Sequence, residues 1–441
     1  MTLYHKTFYT DELTTLFSDS QFVTYMLLVE KVLAEAQAKC KIIPDEAASI
    51  IAHCCQIQFI DLDKLIDEIH LGGNAAIPLV QQLTRGVKNQ HFEASKYVHL
   101  GATSQDIVDT ATVLMIKDYI QWLQGKLCIL DSLLIGLTQK HRDTLMIGRT
   151  LLQHARPITF GLKTAVWLSS IAHTQARVLQ CSPRVLKIQM FGAVGSGHQY
   201  LTNAVVDEMA TSLGINADVP WQSNRDSIAE WASVLGILSG TLGKIAKDIS
   251  IMMQTEVGEV QEGAKEGKGV SSSMPHKRNP ISCALILANS ARTPHLVASV
   301  LSSMTQENER SAGLWHAEWE VVAQLMALTA GSVSTSIEMI DYLEVNTDRM
   351  TTNLEFTKGL IYAEEITLAL ANKIGRIQAH DLVQKACMLA IKQDKHLKDV
   401  LWATHGDLMN TIPLDKLFNP IYSKGYGGEI IDAILKKQNY L

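Results

Sequence analysis

Between residues 228 and 252, apolar side chains recur at alternating steps of three and four: Ile228, Trp231, Leu235, Leu238, Leu242, Ile245, Ile249 and Met252. That is a heptad seam, the pattern of helices packed side by side at shallow crossing angles. At 1.5 Å per residue the run predicts a helix about 40 Å long, with Asp226 and Ser227 just before it as caps. Proline breaks helix interiors, and none occurs between Pro78 and Pro157, between Pro220 and Pro275, or between Pro294 and Pro413. Other segments are also helical in composition, over 106–139, 159–179, 280–302 and 316–343, the third opened by Pro280 at its first turn. Alternating β-branched runs bounded by turns are scarce, and no β-α-β rhythm appears. The pattern predicts an all-α fold with its long helices in the middle of the chain.

Three parts are expected. Residues 1–98 hold shorter helices and close near Arg85-Gly86-Val87-Lys88-Asn89. Residues 99–350 form a central long-helix domain. Residues 351–441 form a C-terminal helical domain marked by Gly406, Pro413, Pro420 and the 425–428 turn. Long helices with apolar seams rarely bury themselves within one chain, so a helical-bundle oligomer is expected.

Composition narrows the function classes. Of 441 residues, 47% are hydrophobic and 19% charged, far from the disordered class. The formal net charge of -6 argues against general nucleic-acid binding, which needs a basic face. It leaves room for a small anionic substrate held by local cations. No apolar stretch approaches the length of a membrane span, and the polar start with Asp11 and Glu12 does not read as a signal peptide. The seven cysteines include the adjacent Cys54 and Cys55 and no C-x-x-C pair, as expected of reduced thiols in the cytoplasm.

One segment breaks the helical pattern. Residues 262–280 (E-G-A-K-E-G-K-G-V-S-S-S-M-P-H-K-R-N-P) bring together three glycines, three consecutive serines, and the cations Lys268, Lys277 and Arg278 with His276, just before a predicted helix start. Free N–H groups and the helix dipole make such a start attractive to anions. By composition alone, the segment reads equally as an ordinary polar loop.

Ser271 to Pro280 resembles the signature loop of the fumarase/aspartase superfamily, normally G-S-S-x-M-P-x-K-x-N-P; Val270 stands where the family has glycine. Tyr97 to Asp106 (Y-V-H-L-G-A-T-S-Q-D) and Gly148 to Pro157 (G-R-T-L-L-Q-H-A-R-P) resemble the two other superfamily blocks, in the expected order. The resemblance implies a homotetramer around one large helical bundle, each active site assembled from three subunits. It implies a small polycarboxylate substrate, no metal or organic cofactor, and no nucleic-acid or membrane partner. By position Ser272 matches the serine that moves the proton α to a carboxylate, and Lys277 and Asn279 match the residues that hold that carboxylate. Such a serine is a poor base in water, so nearby cations and N–H groups must stabilise its alkoxide and the dianionic intermediate.

Within the superfamily, adenylosuccinate and argininosuccinate lyases read G-R-T-H in the second block, the histidine acting as acid or base. Here Leu151 occupies that position and cannot carry a proton. A departing amine needs that proton, at a cost on the order of 10²–10⁴ in rate without it; a carboxylate does not, because its pKa is already low. His99–Thr110, Arg149–Gly161 and Arg310–Glu320 are similar to the bacterial 3-carboxy-cis,cis-muconate cycloisomerases. That resemblance implies intramolecular addition of a carboxylate to an alkene, giving 4-carboxymuconolactone in protocatechuate catabolism. Adenylosuccinate lyase, or another superfamily lyase, is the alternative, and a non-catalytic helical scaffold the second.

The remaining candidates follow from the same resemblance. Thr103 and Ser104 hydrogen-bond a substrate carboxylate, and His99 binds, orients or protonates substrate. Gln153 and His154 line the pocket, with His154, beside the lost histidine position, a candidate catalytic acid or base. Arg310 pairs with a third carboxylate or forms a surface salt bridge. Trp315, His316 and Trp319 serve the pocket or helix packing, and Asn224-Arg225-Asp226 contacts substrate or is structural. Gly192 to Gly197 lacks both the spacing and the preceding strand of a nucleotide loop and reads as a structural turn.

Overall fold

A computed structural model describes residues 3–263, 269, 274 and 276–438. The predicted helices are present as Ser104–Lys140, Phe160–Val185, Asp226–Met252, Ile281–Ser302 and Trp319–Asp341. The fold is all-α, and strands among the described residues are confined to two antiparallel ribbons. Leu145–Thr150 pairs with Gln153–Thr159, and Val260–Glu262 with Leu343–Val345. Neither ribbon was foreseen from the sequence: the strands of the second have three residues each, and those of the first do not alternate buried and exposed positions along their length. Three boundary details also differ. Asp226 and Pro280 fall one position from their expected places: Asp226 is the first helical residue, and Pro280 precedes the first. The Arg85–Asn89 stretch lies inside the Ala76–Gln90 helix.

The chain forms two compact units. One comprises Met1–Leu127, Thr174–Leu242 and Leu285–Ser334; the other comprises Cys128–His173, Gly243–Ala284 and Thr335–Leu441. In the first, the heptad residues Ile228, Trp231, Leu235, Leu238 and Leu242 are all buried. Tyr119 stacks edge-on against Trp231, with ring centres 5.9 Å apart, and donates to the Met326 carbonyl at 2.9 Å. The Thr293 hydroxyl meets Ser239 at 2.9 Å, and the Asn289 amide donates to the Leu328 carbonyl at 3.2 Å. These hydroxyl and amide donors are each paired inside the bundle, as burial demands, whereas Trp231 Nε1 and Asn289 Oδ1 are buried with no partner among the described residues.

In the second unit, Leu354, Ile366, Leu370, Val383, Leu397 and Leu401 form a core among the C-terminal helices. The ribbon strand Leu145–Thr150 contributes Ile147 to that core. By length and composition, Ser104–Lys140 is apolar enough to cross a membrane, which corrects the expectation that no stretch is. Its buried Ile107, Ala111, Ile116, Tyr119, Leu123, Leu127, Leu130 and Leu134 recur at helical spacing, and Asp106 and Asp109 are buried with them. None of the seven cysteines is in a disulfide.

Candidate active site

In the first unit, the site candidates gather where the chain turns into the Ser104–Lys140 helix. Thr103 precedes the first helical residue, and its backbone N–H donates to Asp106 Oδ2 at 3.0 Å while Asp106 N–H donates to the Thr103 carbonyl at 3.0 Å. This is a reciprocal cap of the kind that starts helices. Asp106 is fully buried and also accepts from the backbone N–H groups of Phe191 (3.1 Å) and Gly192 (2.9 Å) and from the Gln189 amide (3.2 Å). Burial pushes its carboxyl up further than those donors pull it down, leaving it raised to about 6. Asp106 thus staples the 99–103 segment to the glycine-rich turn at 192–197.

Three further contacts fix that segment. The Gln37 amide donates to the Leu100 carbonyl at 2.8 Å. His198 Nε2 meets the Gly101 carbonyl at 3.0 Å, and His198 Nδ1 accepts from the Tyr200 N–H at 3.2 Å. The ring therefore carries its proton on Nε2. Gly101 has φ +83°, and a Cβ there would lie 2.5 Å from the His198 ring. Arg310 Nη1 donates to Thr103 Oγ1 at 3.0 Å, and its guanidinium lies 5.0 Å from the centre of the Trp315 ring. No carboxylate among the described residues pairs with Arg310. The half-buried Arg310 guanidinium, Thr103, Ser104 and His99 are the groups this segment offers an anion, a candidate cradle at a helix start already capped by the Asp106 carboxylate.

A charged network lies behind the cradle. Arg225, 3% exposed, donates to Asp109 at 2.7 and 3.1 Å and to Glu318 at 2.6 to 3.1 Å. Trp315 Nε1 donates to Asp109 Oδ1 at 3.0 Å. Arg225 and Trp315 are therefore structural anchors that set the 310–318 segment, whereas the His316 side chain is exposed and stacks beside Trp319.

In the second unit, the second block is the turn of the 145–159 ribbon. Thr150 pairs with Gln153, leaving Leu151 and Leu152 as a two-residue turn with φ 47° and 66°, 97% and 78% exposed. Gln153 is exposed beside them. His154 instead turns onto Phe356, ring centres 5.7 Å apart, at a cavity of about 480 Å³ also lined by Arg149, Lys247 and Asn353. Burial, and then the Arg149 charge, lower its pKa. Arg149 makes two 2.8 Å bonds to the buried Glu259, so it is committed to structure.

The signature loop is described only in part. Ser272 lies outside the described residues. Lys277 is exposed. The Asn279 amide and backbone N–H both donate to the Gly269 carbonyl, at 3.3 and 3.0 Å, closing the neck of the loop. The helix start expected to attract an anion already has one: Glu262 accepts from the N–H groups of Ser282 (3.0 Å) and Cys283 (2.9 Å). The protein's own carboxylate therefore fills the place the sequence offered to substrate. Among the described residues, no contact joins Gln153 or His154 to Lys277 or Asn279.

Comparison with known proteins places the chain in a family. Residues 5–294 match a family model described as Lyase, and residues 359–434 one described as Adenylosuccinate lyase C-terminus. The chain is 42% identical to 3-carboxy-cis,cis-muconate cycloisomerase of Acinetobacter baylyi, over 99% of this chain and 98% of the relative. The chain belongs to the fumarase/aspartase superfamily. Within that superfamily it is 40% identical to 3-carboxy-cis,cis-muconate cycloisomerase of Pseudomonas aeruginosa, over 96% and 94% of the two chains. Its fold matches the crystal structure of 3-carboxy-cis,cis-muconate lactonizing enzyme from Pseudomonas putida with a TM-score of 0.93 and 36% identity, covering 99% of both chains.

One member of the cradle was missed from the superfamily blocks. Glu30, on the Asp19–Lys39 helix, is 1% exposed and lies 2.6 Å from His99 Nδ1. It belongs to no block, and its only signal in the sequence is a glutamate between Val29 and Lys31 in an otherwise apolar stretch.

Proposed function

We propose that this enzyme is a 3-carboxy-cis,cis-muconate cycloisomerase. The observation that carries the reading is full-length identity of 40–42% with enzymes of that name. It is supported by Leu151, which puts an aliphatic side chain where amine-releasing relatives use an acid. One substrate carboxylate oxygen attacks the alkene and forms the C–O bond. The π pair moves to the neighbouring carbon and is delocalised into its carboxylate, and Ser272 delivers a proton there. Lactone formation consumes one carboxylate, so each turnover takes up one proton from solvent.

The roles follow from the groups available. Lys277 and Asn279 hold the carboxylate that becomes dianionic, and the Asn279 amide must leave Gly269 to do so. Thr103, Ser104 and Arg310 take a second carboxylate at the helix start, and His99 orients the attacking one. Gln153 lines the pocket. His154, neutral and turned onto Phe356, is a weaker candidate than Ser272 or His99 for proton transfer. The active unit is a homotetramer whose sites each draw on three subunits, which the exposed Leu151–Leu152 tip supports. Residues 1–98, 99–350 and 351–441 are its N-terminal, central and C-terminal domains. The place of work is the cytoplasm, in aromatic catabolism.

The deciding experiment mixes purified protein with 3-carboxy-cis,cis-muconate and follows loss of the conjugated-diene absorbance, with adenylosuccinate in parallel. Loss of the diene with adenylosuccinate untouched is expected. Cleavage of adenylosuccinate instead would overturn the assignment.

A further inference from the structure

His99 and Glu30 share a contact that the fold maintains at a cost on both sides. His99 has φ 57°, the left-handed region that a β-substituted residue avoids. Glu30 is 1% exposed, and its Oε2 is buried with no hydrogen-bond partner among the described residues. A buried carboxylate is expensive unless paired, and Glu30 has this one pairing, Oε1 to His99 Nδ1 at 2.6 Å. A strained backbone and a half-satisfied buried acid meeting at one contact point to function, because packing alone would favour removing either.

The contact also settles what the ring presents. With Nδ1 bonded to Glu30, Nε2 is the nitrogen left for a ligand, and it has no partner among the described residues. The His99 side chain is 19% exposed, enough to be reached. We propose that Glu30 is a positioning residue that holds His99 as an imidazolium, Nδ1–H donated to Glu30, so that Nε2–H is a charged donor to a substrate carboxylate. This rests on the cycloisomerase reading for the identity of that carboxylate, and on geometry alone for the pair itself.

The charge balance is consistent. A tricarboxylate needs more cations than Lys277 and Arg310 supply, and a neutral imidazole would add none. Burial lowers the His99 pKa, but the Glu30 charge and hydrogen bond, with Asp106 behind them, raise it by more. The titratable groups around the pair are Asp106 at the start of the Ser104–Lys140 helix and, facing Glu30, the Cys55 thiol, which burial pushes up so that it stays neutral. Lys31 and Glu35 act on the Cys55 thiol in opposite directions.

The test is Glu30→Gln, an isosteric change that keeps a hydrogen-bond acceptor and removes the charge. Mass-spectrometric hydrogen exchange at the histidine C2–H reads the titration midpoint of His99 without substrate. The midpoint is expected to lie above about 6.5 in the wild type and to fall by about one unit or more in the variant. Turnover of the diene is expected to drop about ten- to a hundredfold, the usual scale for a histidine's outer partner, mostly in kcat/KM at high pH. A midpoint that does not move, or wild-type turnover across the pH range, overturns the proposal. If Glu30→Gln does not fold, the wild-type midpoint decides alone, and a value below about 6.5 overturns it. A wild type that ignores the diene would sink the cycloisomerase reading while leaving the exchange result standing.

Discussion

Removing Arg225 tests what the buried charges behind the anion cradle contribute to the stability of the fold. In Arg225→Met the side chain keeps its bulk, but Asp109 and Glu318 lose bonds at 2.6 to 3.1 Å and face each other uncompensated. Breaking a buried ion pair from one side costs about 3–5 kcal/mol. A second route gives a similar figure. The cheapest response is for one carboxyl to take up a proton, which between an ordinary pKa near 4 and pH 7.5 costs about 4–5 kcal/mol at 1.36 kcal/mol per unit. Glu318 is the group to accept it, since burial already raises its pKa against the pull of Arg225.

The protonation route adds a pH signature. A carboxyl whose folded pKa is raised stabilises the fold at low pH, and that stability is lost as pH rises through the raised value. The deficit of Arg225→Met should therefore shrink to about 1–2 kcal/mol near pH 5, measured by urea unfolding at pH 5 and pH 7.5. The triple variant with Asp109→Asn and Glu318→Gln, which removes every charge, should recover most of the loss, because buried ion clusters are often neutral against uncharged replacements. Equal deficits at both pH values, or a triple variant no better than the single one, would refute the argument.

Three other outcomes are expected. Ser272→Ala should lose at least about 10² in turnover, the scale of a lost proton-transfer group, with its melting temperature unchanged; near-normal turnover removes the serine from the mechanism. Arg310→Gln should raise KM about ten- to a hundredfold, since a hydrogen bond to a charged group is worth about 1.5–3 kcal/mol, and Arg310→Lys should recover part of it in the same steady-state assay. His99→Gln should lose stability relative to wild type below about pH 6.5, where the Glu30 pairing is complete. That difference should fade as pH rises through the raised folded value, as thermal melts across pH would read.

The helices were legible because their signals are long. A seam of eight apolar residues over 25 positions specifies one face of one element, and all eight are buried. The short ribbons were not, since the three residues Val260–Glu262 hold too few alternations to register. The cradle was legible in part. Thr103, Ser104 and Arg310 come together as their types suggested, and Arg310 stacks on Trp315 within its own segment. What pattern cannot carry is pairing across long separations. Glu30 reaches His99 over 69 positions and Arg225 reaches Asp109 over 116. Glu262 shows a different limit: a loop's anion-binding helix start looks vacant in one dimension until a side chain twenty residues earlier folds back onto it.

The Leu151–Leu152 turn brings the specificity argument to a point. A two-residue hairpin turn with positive φ at both positions is the type I′ geometry, which favours Asn-Gly. Leucine in the left-handed region costs about 1–2 kcal/mol per residue, and exposing two large apolar side chains adds to that. An isolated ribbon would gain stability from almost any other pair. The turn therefore makes sense only where its tip meets something apolar, such as a site in another subunit from which water must be kept. On the proposed reading Leu151 has two roles in one side chain: it withholds the acid that an amine leaving group needs, and it keeps water from the region where a substrate carboxylate attacks. Leu151→His separates the two. It restores an ionisable group without restoring the apolar surface, so turnover of the diene should fall while adenylosuccinate cleavage stays undetectable, because the nucleotide's leaving amine also needs a pocket shaped to hold it. Adenylosuccinate cleavage in that single variant would mean that the missing acid alone separates the two reactions.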